Sequence, residues 1–254
     1  MRIALFADYH GEERIWPQLE EALENQKVDL IAFAGDILNS DDREAEWQKV
    51  METGKAPGKK GPEGEENAVI DEMMYREFFI NLTGFGVPVV FVPGHIDAPT
   101  SLLNGSVEGF TEVHNVEKRS FEIGGYTFLG CGGAIGPIDA DGIYYSHKAA
   151  AFKKRLGSGF GSDPGKTILL VHNPPVSKVA FGQNPDDPLG AQVVNEIIEK
   201  HQPALCLCGH AHTSPGQDTI GSTLVVNPGA MLRGRYAIVD LEHSRVLFPT
   251  PLKM

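Results

Sequence analysis

The sequence has no run approaching the roughly 18–20 apolar residues of a membrane-spanning helix, so no membrane association is expected. Cysteine is scarce: three residues in 254, with Cys206 and Cys208 two apart in an apolar run. An odd count with that spacing argues against a disulfide framework. It points to reduced core thiols in a cytoplasmic protein, since a zinc ribbon would need a second pair. Basic residues are also few, 22 Lys and Arg against 34 Asp and Glu, for a net charge of −12. A surface so acidic argues against nonspecific binding to nucleic acid or anionic membrane. It leaves room for a phosphate substrate at a locally cationic metal site. The opening residues Met1–Asp8 lack a small-residue cleavage site and read as a first strand, not a signal peptide.

What remains is ordinary globular composition, 41% hydrophobic and 22% charged, enough for a substantial core in one domain over residues 1–254. Short apolar runs recur, each ending in polar residues. Ile3–Ala7 runs into Asp8-Tyr9-His10, Leu30–Ala34 into Gly35-Asp36, and Val87–Val92 into Pro93-Gly94-His95-Ile96-Asp97. Thr167–Val171 ends in His172-Asn173, and Ala204–Cys208 in Gly209-His210-Ala211-His212. Near-continuous apolar runs of this length predict strands buried on both faces. Helical spacing predicts helices over Glu12–Gln26, Asp41–Thr53, Val69–Leu82 and Ala191–Lys200, with Ile70, Met73, Met74, Phe78 and Leu82 on one face of the third. Strand and helix in alternation give an α/β fold class. Ser120–Ile123 and Tyr126–Cys131 flank Gly124-Gly125 as a hairpin, and Arg235–Asp240 with Arg245–Phe248 form another. The Gly-, Pro- and charge-rich stretch at about 54–66 predicts a flexible surface insertion. As an alternative it covers a site or meets a partner subunit.

Each polar cluster alone is weak, because Asp, Asn and Gly serve turns. As a set they carry chemistry. Five of the nine histidines stand at the ends of predicted buried strands, together with Asp8 and Asp36. In α/β sheets those ends converge where ligands bind. Asp8 and His10, like His210 and His212, are two apart and point the same way in an extended segment. Imidazoles and carboxylates without a thiolate cluster suit divalent first-row ions. Seven such ligands match two ions sharing a bridging carboxylate, the arrangement used for phosphoryl displacement.

The ordered blocks Asp8-Tyr9-His10, Gly35-Asp36, Gly94-His95-Ile96-Asp97, His172 and Gly209-His210-Ala211-His212, followed by Asn227-Pro228-Gly229, resemble those of the calcineurin-like metallophosphoesterases. The flanking VPGHIDAP and Gly234-Arg235-Tyr236-Ala237 are similar to a prokaryotic branch of Icc-related phosphoesterases. The resemblance spans about residues 1–240. It implies a four-layer α/β/β/α sandwich with two divalent ions, of manganese, iron, zinc or nickel. On that pattern Asp8, His10 and His212 hold one ion and His172 and His210 the other. Asp36 bridges them, and His95 occupies a position that is asparagine in the family. A water or hydroxide between the ions attacks phosphorus of a small phosphate mono- or diester.

The sequence departs from the family at Ile96, where a histidine normally serves the leaving group. Losing a general acid lowers rates by about 10²–10⁴. Three readings of the loop stand open. His95 ligates the second ion and the enzyme works without the acid; or His95, oriented by Asp97, donates protons; or both are structural and catalysis has lapsed. The last makes the chain a non-hydrolytic metal-binding or scaffolding member of the fold. Substituting histidine for Ile96 is expected to raise activity on alkyl esters if the acid is what is missing. Asn39 and Asn173, beside ligand-bearing residues, are candidate phosphate contacts. His147, at a predicted helix start, is left unassigned: it could approach the site, though a histidine in such a place is more often exposed. A homo-oligomer is compatible with the sequence.

Overall fold

The strands form where apolar runs free of helix-favouring spacing are bounded by glycine, aspartate or asparagine. A computed structural model describes residues 1–39, 41–55, 65–157, 159–181 and 189–253. The first elements are β1 (Arg2–Phe6), α1 (Trp16–Leu23), β2 (Leu30–Phe33), α2 (Asp41–Thr53), α3 (Glu65–Thr83), β3 (Val89–Phe91), α4 (Thr100–Ser106) and β4 (Val113–Asn115). Next come β5 (Phe121–Ile123), β6 (Tyr126–Cys131), β7 (Ala134–Ile135), β8 (Ala140–Asp141), β9 (Tyr145–His147), α5 (Ala149–Gly157) and β10 (Thr167–Val171). The last are α6 (Gln192–His201), β11 (Leu205–Leu207), β12 (Gly216–Ile220), β13 (Thr223–Asn227), β14 (Ala237–Asp240) and β15 (Arg245–Leu247).

Two six-stranded sheets result, ordered β15-β14-β1-β2-β3-β4 and β12-β13-β11-β10-β6-β5, with a small third sheet β7-β9-β8. The strands β1 to β4 run parallel, as do β6, β10, β11 and β13, so each set delivers its carboxyl ends to one edge. Because side chains alternate across a strand, each sheet builds two cores. Ala4, Phe6, Ile31 and Phe33 pack with Leu19 of α1 and with Phe78 and Phe79 of α3. Ile3, Leu5, Leu30 and Ala32 face the other way and meet Phe128, Ile168, Leu170 and Leu207 of the second sheet. The far side of that sheet, Leu169, Val171, Cys206 and Cys208, packs on Phe152 and Leu156 of α5 and Val194, Ile197 and Ile198 of α6. Among the described residues no helix is long and apolar enough to cross a membrane.

Most sequence expectations sit within a residue or two of these elements, and the class is mixed α/β. Gly124 and Gly125 both take positive φ (60° and 79°), as a primed hairpin turn requires. Two expectations change. The first helix is split, a 3₁₀ turn at Glu13–Ile15 preceding α1, with Pro17 in its first turn. The buried stripe of α3 is Tyr75, Phe78, Phe79 and Leu82, spaced i, i+3, i+4, i+7, while Ile70 and Met73 are exposed. His147, unassigned from the sequence, belongs to β9 and is buried. Of the expected insertion, residues 56–64 lie outside the described residues, and Glu65 and Glu66 already belong to α3.

Candidate metal centre

The loops after β1, β2, β3, β10 and β11 meet at the carboxyl edges of the two sheets. Their backbones are held in conformations that ordinary residues avoid. Of the non-glycine residues with positive φ, Asp8 (57°), His10 (48°), Asp36 (65°) and His210 (65°) all belong to this edge. Such left-handed backbone stores strain and persists where surrounding structure over-determines it. Here the loops brace one another: Asp8 N–H donates to Gly35 O at 2.8 Å and Tyr9 N–H to Asp36 O at 2.8 Å. Gly94 is required by close approach, since a Cβ there would lie 1.9 Å from Asp36 Oδ1.

Asp97 supplies much of this bracing. Its buried carboxylate accepts from the N–H groups of Asp36 (2.8 Å) and Gly94 (2.7 Å) through Oδ2, and from Ile37 (2.8 Å) and Leu38 (3.2 Å) through Oδ1. With both oxygens occupied by backbone donors, Asp97 clamps the β2 and β3 loops together and does not orient His95. This corrects its expected part in proton transfer. Asn173 is likewise engaged by backbone: its Oδ1 accepts from Ile135 N–H at 2.6 Å and its Nδ2 donates to Leu189 O at 2.7 Å. Asn39 is exposed and lies against Gly11, next to His10.

The structure brings Asp8, His10, Asp36, His95, His172, His210 and His212 together. One ligand atom from each of Asp8, His10, Asp36 and His212 lies within 4.8 Å of the others, and the same holds for Asp36, His95, His172 and His210. Asp36 belongs to both sets. Its Oδ2 is 3.0 Å from His95 Nδ1, 3.3 Å from His172 Nε2 and 3.9 Å from His10 Nε2. His10 Nε2 and His212 Nε2 are 3.2 Å apart, and His95 Nδ1 and His172 Nε2 are 3.1 Å apart.

Partners outside the cluster orient the rings. His10 Nδ1 lies 3.2 Å from Leu38 O and His172 Nδ1 lies 2.7 Å from Ala34 O, and only a protonated nitrogen can pair with a carbonyl. In the neutral form each then presents an Nε2 lone pair inward. His95 is turned the other way, with Nε2 on Glu44 Oε2 at 2.7 Å and Nδ1 facing Asp36. Glu44 reaches the site from the first turn of α2, and Trp47 one turn on packs its ring against His95 at 5.8 Å between centroids. The sequence reading missed both. Acids in a helix's first turn are expected on dipole grounds alone, so nothing local marked Glu44. Asn227 holds the His210–His212 loop through Nδ2 donation to Ala211 O at 3.0 Å.

Electrostatics follow from burying this many titratable groups together. Burial pushes the Asp8 carboxyl up to about 6. Burial also opposes ionisation of Asp36, but His172 and His95 beside it hold its carboxyl well below the usual range. For His95 burial works against the cation, yet Asp36 and Glu44 together raise it to about 10. Burial pushes His210 well below its ordinary value, and His10 and His212 below theirs. Asp8 Oδ2 and His210 Nδ1 are buried without a hydrogen-bond partner, and Asp36 Oδ2 meets only the imidazoles of the cluster. Orphaned anionic oxygens and inward lone pairs are costly in a protein interior. They fit a centre whose remaining partners are divalent cations.

Comparison with known proteins agrees with this geometry. The family described as metallophosphoesterase, calcineurin superfamily, matches residues 1–250. An uncharacterized protein of Methanocaldococcus jannaschii is 30% identical over 169 residues, covering 63% of this chain and 70% of its own. The crystal structure of TT1561 of Thermus thermophilus superposes with a TM-score of 0.73 at 21% identity, covering 98% of each chain. A further crystal structure reaches 0.85, also at 21% identity and 98% of each chain. At those identities the two structures speak for the fold alone. With its strand-end loops meeting as described and the match running nearly end to end, the chain belongs to the calcineurin superfamily of metallophosphoesterases.

Proposed function

We propose that the protein is a metal-dependent phosphoesterase acting on a small phosphate mono- or diester at a two-ion centre held by Asp8, His10, Asp36, His95, His172, His210 and His212. The observation that carries this reading is Asp36, a buried carboxylate common to two ligand sets, with three imidazoles within 4 Å of its Oδ2. Two divalent ions, when bound, supply Lewis acidity to the phosphoryl group and acidify water toward neutrality. The chain's residues do the rest. Leu38 O, Ala34 O and Glu44 fix three imidazole orientations, and Asp97 keeps the loops of Asp36 and His95 in register. Asn39, exposed beside His10, is the residue we assign to the substrate phosphate. Asn173 serves the site by anchoring the loop of His172.

Proton delivery to the leaving group is the missing function. Ile96 is buried in the first sheet's hydrophobic core and cannot donate. Turnover then depends on how well the departing oxygen carries its charge. We expect the manganese-loaded protein to hydrolyse nitrophenyl or phenyl phosphate esters and to be slower on alkyl esters by about 10² or more. Metal content and turnover measured on one sample test the reading. Two ions with aryl-biased turnover support it; equal rates on both ester classes defeat the assignment of the missing acid. Bound ions with no turnover on any ester favour a second reading, a metal-binding or scaffolding protein, for which the apolar Ile96 is the supporting observation.

A further inference from the structure

A second cluster of metal-ligating side chains lies behind the centre described above and shares no residue with it. Glu117 follows β4, Cys131 ends β6 and His147 ends β9, and one ligand atom from each lies within 4.8 Å of the others. All three side chains are more than nine-tenths buried. Cys131 Sγ is 3.5 Å from Glu117 Oε1, and His147 Nε2 is 3.7 Å from the same oxygen. Tetrahedral zinc bonds of 2.0–2.3 Å to oxygen, nitrogen and sulfur imply ligand-to-ligand edges of about 3.3–3.6 Å, close to these separations.

The cluster is also incomplete as a hydrogen-bond network. Glu117 Oε1 accepts from Tyr145 Oη at 2.6 Å and from Arg155 Nη1 at 3.3 Å, so the carboxylate is satisfied. His147 Nε2 is not: it is buried, aimed at the cluster and without a partner. Leaving such a group unpaired in a protein interior is unfavourable. A cation between thiolate, imidazole and carboxylate would pair it.

We propose that Glu117, Cys131 and His147 form a third metal site, selective for a zinc-class ion, that clamps the small sheet to the larger ones. A single thiolate with an imidazole and a carboxylate suits a borderline tetrahedral ion, with one position left for water. Binding releases the Cys131 thiol proton to solvent, forming a metal–sulfur bond in its place. The half-exposed Arg155 side chain caps the cluster and marks the way in. The site also has a mechanical connection to the main centre. Cys131 O accepts from His172 N–H at 3.4 Å, and Tyr145 N–H donates to His95 O at 2.6 Å. An ion here would stiffen the backbone of two residues that face Asp36.

The test uses cobalt(II) titrated into the chelator-stripped full chain. A thiolate–cobalt bond gives a near-ultraviolet charge-transfer band, which the oxygen and nitrogen donors around Asp36 cannot produce. We expect the band to level off at the intensity of one thiolate-bound cobalt per chain, to be erased by zinc, and to survive Cys206→Ser and Cys208→Ser. Cys131→Ser should abolish it, and His147→Gln should weaken cobalt binding at this site about ten-fold or more. Arg155→Gln, which removes a positive charge facing the ion, should tighten it. Asp8→Asn should leave the band intact, so failure here is separable from failure of the two-ion centre. No band in folded protein, or a band that persists in Cys131→Ser, overturns the proposal. Should Cys131→Ser not fold, unchanged cobalt affinity in both His147→Gln and Arg155→Gln does the same.

Discussion

At the scale of single residues, the loop after β3 divides its work among three neighbours. His95 faces the candidate metal centre, Ile96 turns into the core, and Asp97 ties two loops together through four backbone donors. The sequence showed which residue types stood there and which family position each held. It could not show where Ile96 pointed, because an irregular loop has no periodicity from which to read a face. That direction revises one expectation. A histidine at position 96 would take the place of a fully buried core side chain and would leave imidazole nitrogens buried there. We therefore expect Ile96→His to lower stability by about 1–3 kcal/mol in urea unfolding without raising alkyl-ester turnover. A hundred-fold gain on alkyl esters would show instead that the side chain swings out to the site.

Elements explain what the loops alone cannot. Buried strands were legible because β1, β2, β10 and β11 are apolar on both faces, and the site followed from their ends. The helices were located well but phased less well: α3 exposes Ile70 and Met73 and buries Tyr75 and Phe79. Apolar residues of α3 are spread around the helix among charged ones, so no single stripe can be read and tertiary contacts choose its face. The contribution of α2 was invisible for a related reason. Its Glu44 looks like one more solvated acid in a highly charged helix until the fold places it 2.7 Å from His95 Nε2. Carboxylates behind a ligating imidazole fix its tautomer and raise its basicity. Glu44→Gln keeps the size and a hydrogen-bond acceptor but removes the charge. We expect it to weaken binding of the ion held by His95 by about ten-fold, read by competition with a chromophoric chelator. Unchanged affinity would mean that Glu44 merely neighbours the ring.

For the molecule as a whole, the first sheet is closed by residues from opposite ends of the sequence. Arg2 in β1 donates through Nε to Asp240 Oδ2 of β14 at 3.1 Å, and the backbones of β1 and β14 pair antiparallel from Arg2 to Leu5. Asp240 also receives His243 Nδ1 at 3.0 Å and lies 3.5 Å from Arg245 Nη2, so one carboxylate joins β1, β14 and β15. The sequence predicted the terminal hairpin but not this closure, because no local pattern links positions 238 residues apart. Burial of the carboxylate opposes its charge, but His243 and Arg2 prevail and hold Asp240 below its ordinary value of 3.8. A carboxyl whose pKa is lower folded than unfolded binds fewer protons in the folded state, so its contribution is complete above the unfolded value. The contribution fades as pH falls toward the folded value. Asp240→Asn should therefore lower the urea midpoint near neutral pH. The gap from the unsubstituted protein should then narrow as both are taken below about pH 4, where Asp240 of the unfolded chain binds a proton that the folded state still excludes. A gap of constant size across that range would mean that the amide disturbs packing, and that the ionic closure of the sheet contributes nothing.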